Sequence, residues 1–445
     1  MRFLLVAYDF PPIPSPQALR WAYLARELAV GGNEVHVLAP DVLGYGAGRL
    51  PELPASVVVH RCWPGPFMGR LVARKRQYYR DHPDAQRQEQ EPPSTRPATG
   101  AGAVKAAPAL NWKGRLFHRI NALLGWVLYP DMRAEWGPSA RKALDRLLDE
   151  VAPDIVISSH EPPVSIPLGL HAKKKGFTWV ADLGDPVLAP YTPRRWRARA
   201  FRLERELCAK ADLVTLTSDS ALATLRARHG LPVERAMVLT QGFDHRFASQ
   251  SGATTAIAFD PDRLELLYTG SFYAFRRPEV LLDAVLATSG ARLTIATINP
   301  PPSLVALAES HPDSIRLLGF IGHLDALALQ RRCDLLVNIA NADPVQVPGK
   351  IYEYLGAAAP ILHIGDNPAD SAASLLSEFG AGWSVAGDSG EIAAQLARLR
   401  DAKCATGALA RPGSAVGRIE SSFSWQSLAA SLQAASARIA PARSP

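Results

Sequence analysis

Short, nearly continuous apolar runs alternate along the chain with stretches whose apolar positions repeat every three or four residues. The runs RFLLVAY (2–8), EVHVLAP (34–40), VVVHRC (57–62), DIVISS (154–159), TWVADL (178–183) and DLVTLT (212–217) read as one series of strands. A second series follows: LELLYTG (264–270), RLTIATI (292–298), SIRLLG (314–319), DLLVNIA (334–340) and PILHIG (360–365). Several of these runs are almost wholly apolar, which is what strands covered on both faces of a parallel sheet require. Helical patterns lie between them. In QALRWAYLARELAVG (17–31), Leu19, Leu24 and Leu28 form an apolar stripe and Gly31-Gly32 stops the helix. Two successive βα series predict an α/β chain with two doubly wound, Rossmann-like domains.

The division is expected after VLTQGFDHRF (238–247), where the sequence turns small and polar. This gives a first domain over 1–245, a linker over 246–262, a second domain over 263–422 and a closing segment over 423–445. Residues 82–111 are rich in Pro, Ala, Gly and Gln and lack periodicity, so a mobile insertion is expected over about 64–130. Its flanks, 66–80 and 112–130, are basic and aromatic. In the second flank, Leu116, Ile120, Leu123, Leu124 and Trp126 stand beside Lys113, Arg115 and Arg119. Such a segment either lies in a membrane interface or packs on the domain with solvated charges.

Charge sharpens this picture. The net charge is +7 and the pI about 9.3, so nucleic acid, an anionic membrane surface and phosphorylated substrates are the partners to weigh. No helix-turn-helix, zinc finger or aromatic RNA-binding strand is recognisable, which disfavours nucleic acid. Cys62, Cys208, Cys333 and Cys404 are widely spaced and form no C-x-x-C pair, so the expectation is a reducing, cytoplasmic chain without a zinc site. The opening apolar run is short and ends at Asp9, which fits a strand better than a signal peptide. No run reaches the length of a membrane-spanning helix.

Five stretches carry candidate chemistry, each just beyond an expected strand end, where open parallel sheets bind ligands. In YDFPPIPSPQALR, Ser15 either caps the following helix or faces a ligand, and Arg20 either binds an anion or is a surface charge. SSHEPP places His160 and Glu161 where a reacting sugar or acceptor would be met. VADLGDP places Asp182 and Asp185 as hydrogen-bond acceptors or a base, or as parts of a turn. TGSFYAFRRPEV follows Gly270 with Arg276 and Arg277 ahead of a helix, a credible diphosphate site. VPGKIYEYLG combines a Pro348-Gly349 turn, the cation Lys350 and, three residues on, the carboxylate Glu353. That carboxylate suits the vicinal hydroxyls of a ribose, or else pairs with Lys350. GYGAG (44–48) does not open a helix directly after a strand, and no G-x-x-x-x-G-K-[ST] loop occurs, so dehydrogenase and P-loop readings fall. No metal signature is visible.

At these residues the chain resembles the GT-B glycosyltransferases of glycosyltransferase family 4, particularly bacterial enzymes of capsule, O-antigen and exopolysaccharide assembly. The resemblance rests on YDFPPIPSPQALR…LARELAVGGNEVHVL, on QGFDHRF, on Gly270 followed by Arg276, on VPGKIYEYLGAAAP and on the closing FSWQSLAASL. Ser271 stands where the family has an arginine, and Val345 where it has the first of two spaced glutamates. The resemblance implies a central cleft between two domains. The second domain would bind a nucleotide-diphosphate sugar as substrate through Gly270, Arg276, Pro348, Gly349, Lys350 and Glu353. The first would bind an acceptor through Ser15, Arg20 and Asp185, with His160 and Asp182 as catalytic groups. It further implies sugar transfer with retention, no metal and no other cofactor. The acceptor would be a lipid-linked or other saccharide, met by a cytoplasmic protein on the inner face of the cell membrane. A nucleotide-sugar 2-epimerase of the same fold and a non-catalytic nucleotide-binding scaffold remain the alternatives.

Overall fold

The computed structural model describes residues 1–44, 50–84, 128–246, 257–272, 278–298, 300–341, 347–367, 370–413 and 415–441. The first series of strands is β1 (Arg2–Val6), β2 (Glu34–Pro40), β3 (Val57–Cys62), β4 (Ile155–Ser159), β5 (Trp179–Asp182), β6 (Leu213–Leu216) and β7 (Ala236–Val238). Its helices are α1 (Pro16–Val30), α2 (Pro66–Asp81), α3 (Gly137–Val151), α4 (Ser165–Lys174), α5 (Arg194–Lys210) and α6 (Asp219–His229). The second series is β8 (Leu264–Thr269), β9 (Ala291–Ala296), β10 (Ile315–Gly319), β11 (Leu335–Ile339), β12 (Ile361–Ile364) and β13 (Gly382–Val385). Its helices are α7 (Glu279–Ala287), α8 (Pro302–Ser310), α9 (His323–Gln330), α10 (Lys350–Gly356), α11 (Ser371–Phe379), α12 (Ser389–Thr406) and α13 (Val416–Phe423), with α14 (Trp425–Ile439) closing the chain's described elements.

Both sheets are parallel throughout. Their orders are β3-β2-β1-β4-β5-β6-β7 and β10-β9-β8-β11-β12-β13. Strand order reverses between β1 and β4 in one sheet and between β8 and β11 in the other. At such a switch point successive crossovers leave to opposite faces, and a crevice opens beyond the strand ends. The central strands are buried along their whole length, as their apolar runs predict. Two short edge strands, β7 and β13, were not expected from the pattern.

The chain crosses between the sheets twice, side by side. Phe243 N donates to Phe423 O at 3.1 Å, and Trp425 N donates to Phe243 O at 3.0 Å. Beyond this double crossing α14 returns to the first sheet. Trp425, Leu428, Ala429, Leu432 and Ala435 enter the core formed by Phe3, Leu5, Trp21, Leu24 and Val37, and Trp425 stacks on Tyr23 with ring centroids 5.5 Å apart. Gly356 lets α10 press against the same crossing: a Cβ there would stand 2.2 Å from Phe243 Cγ.

The region expected as an insertion is partly regular. Residues 66–81 form α2, anchored by buried Gly69 and Val72. Its first turn is held by Glu135, whose carboxylate accepts from Phe67 N at 2.8 Å and Met68 N at 2.7 Å. Residues 85–127, which contain most of the expected mobile stretch and of the 112–130 flank, lie outside the described residues.

Candidate active site

Seven of the candidate residues line one interdomain cavity of about 410 Å³: Ser15, Arg20, Gly270, Pro348, Gly349, Lys350 and Glu353. On the second domain the cavity lies at the β8/β11 switch point. Gly270 ends β8 with φ +154, a conformation rare for residues with a side chain. Arg276 lies outside the described residues.

Glu353 sits one turn into α10 with its side chain 16% exposed. One carboxylate oxygen, Oε2, accepts from Lys350 Nζ at 2.7 Å and from Gln330 Nε2 at 3.3 Å. Among the described residues its other oxygen accepts no hydrogen bond, and Glu353 lines the cavity. Burial works against the charge, but Lys350, His323 and Gln330 outweigh it and hold the carboxyl below its usual range. Glu353 is therefore an ionised acceptor with one oxygen fixed and the other without a partner among the described residues. The Lys350–Glu353 pair considered from sequence does form, and it forms in the cleft wall.

A second layer fixes this wall. Gln330 also donates to Thr269 Oγ1 at 3.2 Å, and the Tyr354 hydroxyl accepts from Thr269 N at 3.0 Å, which ties α10 to the end of β8. Arg411 donates to Tyr354 O and Ala359 O and pins the far end of α10. Gly349 is helical, with φ −56, and meets the other domain: a Cβ there would stand 3.2 Å from Gln241 Cγ. Gln241 is the protein group that makes this close approach.

Deeper in the cavity, Asn338 at the end of β11 donates from Nδ2 to His363 Nδ1 at 2.8 Å. His363 Nε2 lies 3.5 Å from Asp370 Oδ1, so the imidazole carries its proton on that side in this arrangement. The Asn338 amide is thereby held through its nitrogen, and the residue lines the cavity. Nothing in the sequence pattern singled out Asn338, Gln330 or His323.

The first domain departs further from expectation. Arg20 is neither a surface charge nor a free anion binder: its side chain is 0% exposed and NH1 bonds Asp182 Oδ2 at 2.7 Å, while NH2 donates to Leu239 O at 2.8 Å. Asp182 also accepts from Trp21 Nε1 at 2.9 Å, Gln17 Nε2 at 3.1 Å and Thr215 Oγ1 at 2.6 Å. Three of these donors share Oδ2 and Thr215 takes Oδ1, and the carboxylate is buried away from the cavity. The expectation of a catalytic Asp182 is corrected to that of a hub joining α1, β5 and β6. His160 is buried beneath the sheet end and does not line the cavity; burial pushes its imidazole down to about 4, so it is neutral at pH 7. Asp185 is half-buried, accepts from the Tyr191 hydroxyl at 3.1 Å and also stays outside the cavity. Ser15 accepts from Ala18 N at 3.1 Å, the capping role, while still facing the cavity.

The first switch point, between β1 and β4, instead brings Asp9 to 3.8 Å from Arg133 and sets Glu161 within the field of Asp185, Asp9 and Arg133. Glu161 meets solvent, yet protein encloses its carboxyl on enough sides that burial, with the charges of Asp185 and Asp9, pushes it up to about 7. Its backbone φ of +98 is strained for a non-glycine residue. Asp9 is raised too, by burial first, against Arg133 and the Ser15 hydroxyl.

The two domains touch across the cleft. Tyr23 Oη and His323 Nε2 are 3.0 Å apart. Burial pushes His323 down to about 4, so this contact involves a neutral imidazole at pH 7.

The family model described as Glycosyltransferase Family 4 matches residues 102–247. No curated protein matches the sequence. Among solved structures, a sucrose-phosphate synthase from Thermosynechococcus elongatus is similar at TM-score 0.63 and 14% identity, over 99% of this chain and 99% of that one. A glycosyltransferase from Rickettsia africae is similar at TM-score 0.60 and 10% identity, over 98% of both chains. The E. coli trehalose-6-phosphate protein bound with UDP-2-fluoro glucose is similar at TM-score 0.55 and 12% identity, over 99% of this chain and 100% of that one. At such identities the likeness is one of fold: two parallel α/β domains across a cleft, with the family match falling on β4 to β7 and their helices. The chain has the two-domain GT-B fold of these proteins, and residues 102–247 are similar to glycosyltransferase family 4.

Proposed function

We propose that the protein moves a sugar from a nucleotide-diphosphate sugar to a lipid-linked saccharide, as in surface polysaccharide synthesis, without a metal and with retention of configuration. The observation that carries the donor half is Glu353, an ionised carboxylate in the cavity lining with one oxygen locked by Lys350 and Gln330 and the other without a partner among the described residues. Vicinal ribose hydroxyls would donate to that second oxygen. Lys350, beside it, would face the diphosphate and stabilise the charge that develops as the nucleotide leaves. Asn338 would accept from a further hydroxyl or N–H of the donor. The acceptor would enter from the first domain, past Ser15 and the Asp9–Glu161 crevice, and the Tyr23–His323 contact would mark domain closure. Among the described residues no helix is long and apolar enough to cross a membrane. The lipid-linked acceptor would then be met at the inner face of the cell membrane by a peripheral protein. The expected basic flank 66–80 is available for this as the exposed helix α2.

UDP-N-acetylglucosamine 2-epimerases share the fold at TM-scores of 0.52 and 0.53, below the values for the transferases above. A thermal-shift panel of UDP-, GDP-, dTDP- and CMP-sugars, on wild type and Glu353→Gln, tests the proposal. One nucleotide class raises the wild-type midpoint and the variant loses most of that rise. A midpoint unmoved by every nucleotide refutes the donor site. Turnover of the donor to an epimer without any acceptor refutes the transfer reaction.

A further inference from the structure

Helix α5 packs on the first domain through Ala200, Glu204, Leu207 and Cys208. The opposite face carries Arg195, Arg199, Arg202 and Arg205, spaced three and four apart, and Arg194 and Arg197 add to its first turn; all six are exposed. The helix's own carboxylates are engaged elsewhere. Glu204 is buried against Arg228 and His229, and Glu206 pairs with Lys210. Arg194, Arg197, Arg199, Arg202 and Arg205 meet no carboxylate among the described residues. Like charges one helical turn apart repel, and cations at a helix start oppose its dipole. The first turn of α5 holds no acidic residue to offset this. Such an arrangement is unfavourable for the isolated protein and becomes favourable against an extended anion.

Aromatic rings hold the cations in place. Arg195 and Arg199 lie over Trp196 at 5.7 and 5.9 Å, and Arg199 also lies over Tyr129 at 4.8 Å. Six residues after Tyr129, Glu135 caps the start of α2. That spacing keeps the Cα atoms of Tyr129, beside α5, and Glu135, beside α2, within about 20 Å of each other. The α2 helix is itself basic, with Arg70, Arg74, Lys75, Arg76 and Arg80 against the single acid Asp81. Both helices follow C-terminal strand ends, so both start on the cleft side of the first sheet. Trp63, Tyr78 and Tyr191 are 52%, 51% and 66% exposed, with Tyr78 on α2 itself and Trp63 and Tyr191 three residues ahead of α2 and α5. Large amphipathic rings around a field of arginines suit the boundary between headgroups and acyl chains.

We propose that the arginine face of α5, joined through Tyr129–Glu135 to α2, docks the protein on an anionic phospholipid surface and turns the acceptor side of the cleft toward the headgroups. This rests on the lipid-linked acceptor of the preceding reading, and it assigns the contact to a helix that the basic flanks of the insertion do not include.

The test is partitioning of the full chain onto sedimented vesicles. The wild type binds mixed phosphatidylglycerol–phosphatidylcholine vesicles, not phosphatidylcholine alone, and high salt releases it. The triple variant Arg195→Gln/Arg199→Gln/Arg202→Gln loses partitioning on the order of 100-fold, at about fivefold for each cation near the surface. Its thermal midpoint does not fall below the wild-type value, because relief of the repulsion offsets the lost ring contacts, and its nucleotide-induced shift is unchanged, since none of the three residues lines the cleft. Equal binding to both vesicle types, or wild-type partitioning by the variant, overturns the proposal. So does release by millimolar inorganic pyrophosphate at constant ionic strength, which would mark a small-anion site. Tight binding to a single-stranded oligonucleotide without vesicle binding would reassign the face to nucleic acid. If vesicles bind but no nucleotide does, the docking surface stands and the donor site falls; the reverse result separates them the other way.

Discussion

The Asp182 hub separates a structural from a chemical role by magnitude. In Asp182→Asn the amide oxygen can take the Oδ2 place and keep Gln17, Arg20 and Trp21 as donors, while the amide NH2 turns to Thr215. Shape and hydrogen bonds survive and only the charge is lost. Arg20 is then a fully buried guanidinium without a counter-ion. Breaking a buried pair in this way costs about 3–5 kcal/mol. For a domain of this size that lowers the midpoint by roughly 6–20 °C. Tryptophan fluorescence during urea unfolding is a suitable assay. Trp21, Trp136, Trp179 and Trp425 are buried in the first domain's cores, whereas Trp383 on β13 packs against the second. Replacing both partners, as Arg20→Met/Asp182→Leu, should recover part of the loss relative to Asp182→Leu alone, because the uncompensated charge goes too. The reasoning is refuted if Asp182→Asn stays within about 1 kcal/mol of wild type while turnover falls a thousandfold or more. That outcome would return Asp182 to the chemistry.

Other outcomes follow from the same geometry. Glu353→Gln removes a charged acceptor, so nucleotide affinity should fall roughly 10- to 150-fold, for about 1.5–3 kcal/mol, together with a loss of stability without ligand at neutral pH, because Lys350 loses the carboxylate that it holds ionised. Glu161 is held protonated in the fold up to about 7, above its unfolded value, so it favours the folded state at low pH and that contribution is lost as pH rises from about 4.5 through 7. Glu161→Gln should flatten this slope in a midpoint-versus-pH series, and an unchanged slope would show that the carboxyl is not enclosed as described. His363→Ala frees the Asn338 amide to rotate; it should raise KM for the donor more than it lowers kcat, and binding of donor and of free nucleotide by calorimetry would show which portion Asn338 reads.

Much of the fold was readable in the apolar runs because central parallel strands have no wet face. The strands that were missed, β7 and β13, are sheet edges with half-exposed residues and no such run. The local pairing of Lys350 with Glu353 was readable from a spacing of three on one helix. Arg20 was misread although its position carried a signal: it precedes Leu24 and Leu28 in steps of four, on the face that α1 buries. A charge on a buried face demands a counter-ion, but its partner is 162 residues away and sequence offers no means to pick it. Gln330 and Asn338 escaped for the same reason, since each acts through contacts that only the folded sheet brings together. Leu19, placed with Leu24 and Leu28 on one stripe, instead turns to the cleft.

The return of α14 across the double crossing also sets an order on biosynthesis. The first sheet and its helices leave the ribosome early, yet their core lacks Trp425, Leu428 and Leu432 until nearly the whole second domain has been made. At about 5–20 residues per second, the stretch from Leu239 to Trp425 takes on the order of 10–40 s. Throughout that interval the nascent first domain carries an open apolar seam along α1, exposed to chaperones or to other nascent chains. A fragment cut between the two sheets would keep that seam permanently, so the amino-terminal half is a poor candidate for expression on its own unless α14 is supplied in trans.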